Sequence, residues 1–353
     1  MERGTPTRFV HLVGSTPFAS TAEAMDVLLE RLSGRLRTLP DGETGERRNW
    51  IVSIIESLRA HPDLEVVREG RWAHYEDLLT FGVRRGHSLR GETLDFRHVA
   101  DFEAAYPLFL ERRERLIAAG VPGAAGLAFQ VGLPGDLDMA LFTMGPLGAL
   151  RHRAAFTEAT LREIRAISAR AGANVVFQLE LPAELVFVAR SPAPLRPWIA
   201  RWLGGGVASL AAQSPEGTRF GLHLCVGDLN HKALAKMRDT GPLVRLANAI
   251  VQAWPAGRPL EFIHAPLAAA EQPPPGAPEF FTALRELRLP EPTRFIAGFV
   301  HEGSSLERQR ELLRLIESLV GRPVDVATSC GLGRREREPA LAALERAAAL
   351  CEG

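Results

Sequence analysis

The sequence predicts an α/β fold: one (β/α)8 (TIM) barrel with insertions in its loops, spanning residues 1–353 as a single catalytic domain. Three observations predict it. Short apolar, β-rich runs recur between stretches of helical periodicity. The count of such runs, eight, is the number that closes a parallel barrel, and a chain of 353 residues accommodates that barrel plus insertions. Chemistry-bearing side chains collect where those runs end, which is where barrels keep their active sites.

Taken in order, the runs are "RFVHLV" at 8–13, "RLRTL" at 35–39, "GLAFQV" at 126–131 and "NVVFQLEL" at 174–181. They continue with "RFGLHLC" at 219–225, "PLEFIH" at 259–264, "RFIAGFVH" at 294–301 and "PVDVATSC" at 323–330. Amphipathic helices are expected between them, among them "STAEAMDVLLERLSG", "TEATLREIRAISARAG" and "SLERQRELLRLIESLVG". The last opens on serine caps and stops at glycine. Two stretches exceed the repeat: a polar hairpin excursion at 61–100 and the Pro-rich "EQPPPGAPE" at 271–279. Each reads as a lid or as a tolerated surface insertion.

Lys+Arg 42 against Asp+Glu 42 leaves no net charge, so no broad field for nucleic acid or an anionic membrane is expected. A small-molecule partner fits better. The N-terminal apolar run is too short for a signal peptide and is interrupted by His11, and no stretch is long enough to span a bilayer. A cytoplasmic protein is expected. Its three cysteines, Cys225, Cys330 and Cys351, do not make a disulfide framework, and Cys351 sits in an Ala-rich final helix where it reads as inert.

The run ends carry the functional signal. In "GLHLCVGDLN", His223 and Cys225 stand at i and i+2, so a strand projects both to one face. Alone, the pair reads equally as buried interior. A third soft ligand, Cys330, ends the last run, and only closure of a barrel brings it across the same mouth. Zn²⁺ favours this mixture of thiolate sulfur and imidazole nitrogen, and a catalytic zinc site keeps one position open. His264, His301 with Glu302, Gln178 with Glu180, and Ser15, Asp41, Glu43, Arg47 and Arg48 end the other runs, while Glu261 lies deeper along its own.

"HLVGSTPF", "DGETGERRNWIV", "FQLELP", "LHLCVGDLN" and "SCGLGRR", in this order, resemble the catalytic barrel of cobalamin-independent methionine synthase, within the uroporphyrinogen decarboxylase and methionine synthase superfamily. The resemblance runs from the first strand to the last, and the H-x-C with a distant C-G-L is its most specific part. It implies His223, Cys225 and Cys330 as zinc ligands. It also implies Ser15, Glu43 and Glu180 as contacts to the amino-acid part of a homocysteine-like thiol, and His301 as a proton donor. The family's remaining ligand is an acid on the sixth strand, and aligning "PLEFIH" places His264 there, with Glu261 three residues too deep. The Q-x-D-E-P motif becomes Gln178, Leu179, Glu180, Leu181 and Pro182, which weakens the amino-acid reading. The family's second, N-terminal barrel has no counterpart, so its folate donor does not carry over.

The expected activity is zinc-dependent S-methylation or S-alkylation of a thiol. With His264 in place of an acid the site is formally less negative, which favours an activated electrophile: a corrinoid methyl, a sulfonium or an epoxide. Rival readings are an alkyltransferase or thioether-cleaving enzyme on another thiol, a metal-free decarboxylase that would leave the His and Cys residues without purpose, and a protein that only binds or senses zinc. "DGETG" also reads as a plain turn, and His301 as a histidine capping the next helix. Arg334 and Arg335, after Cys330, read as the start of the last helix or as groups meeting an anionic donor, and Trp50, Trp72 and Tyr75 as core or lid packing.

Overall fold

Strand-forming runs buried on both faces demand a covered parallel sheet, and that is what this sequence folds into. The computed structural model describes residues 8–49 and 51–352; residues 1–7, Trp50 and Gly353 lie outside them. The main sheet holds β1 (Thr38–Pro40), β4 (Ala128–Pro134), β5 (Val175–Leu181), β6 (Arg219–Leu224), β7 (Leu260–Pro266), β8 (Arg294–Val300) and β9 (Asp325–Thr328). All pair in parallel in that spatial order, as a curled seven-stranded sheet. Every residue of β5 is buried.

The run at 8–13, expected as the first strand, does not form one. Val10 alone makes parallel bridges, to Leu36 at one edge of the sheet and to Val326 at the other. The reason lies in the next two carbonyls. Gln130 Nε2 donates to Leu12 O and Val13 O at 2.8 and 3.0 Å, and Gln178 Nε2 donates to Val13 O at 2.6 Å. Side-chain amides therefore replace a backbone ladder there.

The excursion at 61–100 holds β2 (Leu64–Arg68) and β3 (Thr80–Val83), paired antiparallel. Beneath it a second cluster packs Leu64, Leu79 and Phe81 against Phe142 and Phe156. The latter two belong to α4 (Asp136–Ala171), which begins well before the expected 157. Gly145, at φ 68 and ψ 178, breaks its geometry, and Pro146 restarts it at a position where a missing N–H costs nothing. The other expected helices form as α1 (Thr21–Leu32), capped by Ser20, and α8 (Leu306–Val320), capped by Ser305 and ended by Gly321 at φ 79. No helix among the described residues is long and apolar enough to cross a membrane.

Period-2 alternation sorts the sheet's concave face into levels. Ala128, Val176, Phe262, Ile296 and Ala327 form a small apolar cluster of their own. One step up each strand stand Gln130, Gln178, His264 and Gly298. One step further come Gly132 and Glu180, and on β6 the series runs Gly221, His223, Cys225. The chain thus climbs from an apolar floor through neutral polar groups to acids and thiols.

Candidate metal centre

His223 ends β6 and Cys225 follows it into the loop, while Cys330 follows β9. All three are buried, and one donor atom from each lies within 4.8 Å of the others. The sulfurs of Cys225 and Cys330 are 3.8 Å apart, and Cys330 Sγ is 3.7 Å from His223 Nε2. Gly227 N–H donates to Cys225 Sγ at 3.3 Å. The hydrogen bond from Cys225, together with the Arg334 guanidinium, holds the Cys330 thiol well below its ordinary range, while the same partner and burial push Cys225 up.

Arg334, read from sequence as a helix start, belongs to this centre. Its Nη2 lies 3.0 Å from Cys330 Sγ and 3.1 Å from Asp228 Oδ2, and its Nη1 donates to Ser15 Oγ at 3.1 Å. Burial would push the Asp228 carboxyl up, but Arg334 and His231 overcome it and bring the group to about 2. The only advance signal was position, four residues past a candidate ligand.

His264 pairs with His223 across the β6–β7 register. Both its nitrogens are engaged: Nδ1 is 2.7 Å from His223 Nδ1, and Nε2 is 2.9 Å from Thr328 O. In this arrangement it stands behind His223 and offers no atom to the cluster, contrary to the expectation that it joins the ligands. Glu261 is held by Arg219 at the other end of β7. Burial, with His223 and His11 nearby, holds His264 well below the ordinary imidazole range.

Glu43 and Glu180 meet over Gly132: a Cβ there would lie 2.8 Å from Glu43 Oε1 and 3.2 Å from Glu180 Oε1. Gly14 is crowded by the same Glu43 carboxyl, at 2.4 Å. Glu43 itself sits at φ 40, in the left-handed region that "DGETG" reaches as a turn. Burial and then the Glu180 charge push the Glu43 carboxyl well up. Arg47 lies close enough to oppose that rise in part, while its ion pairs go to Asp41 at 2.5 Å and Asp101 at 3.1 Å. Arg48 donates to Gly333 O.

One cavity is lined by Ser15, Glu43, Glu180, His223, Cys225 and Cys330. Its other wall is apolar, with Ile51, Val52 and Phe142, and with Trp72, Tyr75 and Leu78 from the hairpin excursion. Tyr75 latches that wall to the loop after β6, accepting from Leu229 N at 2.8 Å. A Cβ on Gly227, at φ 84, would come within 2.5 Å of the Tyr75 oxygen, so the latch requires glycine there. The Pro-rich segment at 271–279 does not border this cavity. His301 does not line it either: Gly303 N donates to its Nδ1 at 2.9 Å, and it is 4% exposed. Glu302 pairs with Arg335, and Cys351 lies apart, just past the end of the last helix.

A parallel α/β chain with an imidazole and two thiols converging in a cavity at the strand ends has the fold seen in cobalamin-independent methionine synthases. The structure of a B12-independent methionine synthase from Shewanella sp. W3-18-1, in complex with selenomethionine, matches with TM-score 0.57 over 98% of each chain at 14% identity. A putative vitamin-B12 independent methionine synthase from Listeria monocytogenes matches with TM-score 0.53 at 10% identity, over 94% of this chain and 85% of that one. At such identities the likeness is one of fold. No protein-family model and no curated protein matches the sequence.

Proposed function

We propose that this chain is a zinc-dependent thiol S-methyltransferase, acting through His223, Cys225 and Cys330 within one catalytic domain, and that the segment at 8–13 completes its sheet as the eighth member of a barrel. One observation carries the reading. Zinc–sulfur bonds of about 2.3 Å and zinc–nitrogen bonds of about 2.0–2.1 Å put tetrahedral vertices about 3.8 Å apart for two sulfurs and about 3.5 Å for sulfur and nitrogen. The corresponding separations here are 3.8 and 3.7 Å. Three protein donors, two of their separations at those spacings and all within 4.8 Å of one another, would leave the fourth vertex for a substrate, the pattern of a catalytic site rather than a closed structural one.

Zinc bound there would lower the pKa of an entering thiol and hold it as the nucleophile. The chain's own groups do the rest. Glu43 and Glu180, whose carboxyls both line the cavity, bind the ammonium of an amino-acid thiol. Ser15 and Arg334 offer donors to its carboxylate. The apolar wall excludes water from the transfer, and the latch at Tyr75 holds that wall in place. Two thiolates and a neutral imidazole balance zinc's charge, and Arg334 donating to Cys330 draws more electron density from the sulfur. A softened site of this kind requires an activated methyl or alkyl donor. The Shewanella structure contains selenomethionine, an analogue of the methylated product such a reaction would make.

The test is direct. Purified protein should carry about one zinc per chain, and Cys225→Ala or Cys330→Ala should lose it while remaining folded. Metal-loaded protein given homocysteine and a panel of methyl donors should yield a thiol heavier by one methyl group on mass analysis. Absence of zinc after growth in zinc-replete medium would remove the reading.

A further inference from the structure

The sequence puts a histidine where the resemblance calls for an acidic ligand, and the geometry says what that histidine does. Thr328 O can only accept, so the His264 Nε2 lying 2.9 Å from it carries the hydrogen. A hydrogen bond between two imidazole nitrogens needs one donor and one acceptor, and an imidazole whose Nε2 hydrogen goes to Thr328 O offers its Nδ1 as the acceptor. That nitrogen faces His223 Nδ1 at 2.7 Å, which must therefore be the donor. Once Nδ1 of His223 carries the proton, its Nε2 presents a lone pair toward Cys330 Sγ, 3.7 Å away. The relay runs from a backbone carbonyl through two imidazoles to a ligand atom.

The surrounding packing holds His264 to this one pose. On β8, a Cβ at Gly298 would come within 2.7 Å of His264 Nε2, so only glycine leaves room for the ring. On another side His11 packs at 5.7 Å between ring centroids, with its own Nε2 turned away to Gln178 Oε1 at 2.8 Å. Each competing partner for His264 is already used.

We propose that His264 is a positioning residue that fixes His223 in the Nδ1–H tautomer, leaving Nε2 free to bind metal, in place of the acidic ligand the resemblance implies. Its consequence for the metal rests on the proposed function, but the tautomer itself does not. Outer partners of ligating histidines typically matter by about 10–100-fold in metal affinity.

The experiment labels histidine side chains with ¹⁵N and reads imidazole tautomers by NMR in metal-free protein, then measures zinc affinity by chelator competition. It compares the parent with His264→Gln and His264→Leu. In the parent, His223 should be the Nδ1–H form. Glutamine keeps an acceptor for His223 and a donor for Thr328 O, so His264→Gln should retain both tautomer and affinity within about threefold. Leucine removes the acceptor, so His264→Leu should populate the Nε2–H form of His223 and weaken zinc by about tenfold or more. A parent His223 in the Nε2–H form would overturn the proposal, as would His264→Leu with the tautomer and affinity of the parent. Parent protein with the expected tautomers but no zinc affinity would leave the positioning claim standing and remove the proposed function instead.

Discussion

Glu43 shows how much a single residue reveals and conceals. Its spacing after "DG" predicts a turn, and the turn is there, at φ 40, yet the same turn delivers a carboxyl beside Glu180. Burial and the Glu180 charge push the Glu43 carboxyl up, so a further cation at these two acids would favour their charged forms. An ammonium substrate should supply that cation, and charge-assisted hydrogen bonds of this kind are worth about 1.5–3 kcal/mol. Homocysteine should therefore bind cobalt- or zinc-loaded protein about tenfold to hundredfold more tightly than its desamino analogue. Glu43→Gln should bring the two thiols close to parity, read from the metal absorption edge. Equal affinity in the parent would dismiss the amine clamp. Residue identity was legible for Ser15, Glu43, Glu180, His223, Cys225 and Cys330, because strand periodicity and order along the chain placed them at one mouth. It was not legible for His264, because register says which residues are neighbours but not which nitrogen turns to which partner. Arg334 and Asp228 were missed for the same reason: an ion pair between residues so far apart in sequence leaves no local pattern.

Among the elements, the junction of α4 with α5 (Pro182–Arg190) holds a titrating pair that no periodicity announces. Asp138 Oδ1 accepts from Ala183 N at 2.8 Å, supplying the first turn of α5 with an acceptor from another helix. Glu184 lies against it, and both are buried. Burial, then the Glu184 charge, pushes the Asp138 carboxyl well up, and burial raises Glu184 as well. An acid whose folded pKa is raised stabilises the fold fully below its unfolded value, near pH 4. That contribution is lost as pH rises through the folded value. Asp138→Asn keeps the acceptor for Ala183 and adds a donor for Glu184 without an ionising group. Its melting temperature should fall less between pH 5 and pH 9 than the parent's and exceed it at the alkaline end, as measured by calorimetry. A parallel pair of curves would mean that the acids do not carry the pH dependence. The elements themselves were mostly legible, since β5 through β9 fall within a few residues of their runs. α4 was not, because Gly145–Pro146 reads as a stop when only local chemistry is considered, and its early half is held by the hairpin cluster rather than by its own pattern.

At the level of the whole molecule, the sheet's two edges are brought to one segment that is not itself a strand. Val10 N donates to Arg35 O at 2.9 Å, His11 N to Val326 O at 2.9 Å, and Val326 N to Phe9 O at 3.0 Å. Beyond these the segment depends on Gln130 and Gln178, and Gln178 Oε1 in turn receives His11 Nε2 at 2.8 Å. Eight runs in the sequence predicted a uniform ring; what the sequence could not show is that one run is held by amide side chains from inside. Gln178→Leu tests that arrangement, because leucine fills the volume but strands the buried His11 N–H and leaves Val13 O to Gln130 alone. An orphaned group costs about 1–3 kcal/mol, so urea unfolding should show a loss of about that size with an unchanged m-value. The loss should also be local before it is global. Hydrogen exchange should speed at Val10 and His11, and at Thr16, whose amide donates to Gly42 O at 2.7 Å, while amides of β5 to β7 keep their protection. Since Ser15 follows this segment and Gln178 also donates to Glu180 Oε1 at 3.2 Å, homocysteine affinity should weaken although no residue of the cavity wall has changed. Uniform loss of protection across the sheet would show that the segment is an ordinary strand of the ring, supported by its neighbours rather than by Gln178.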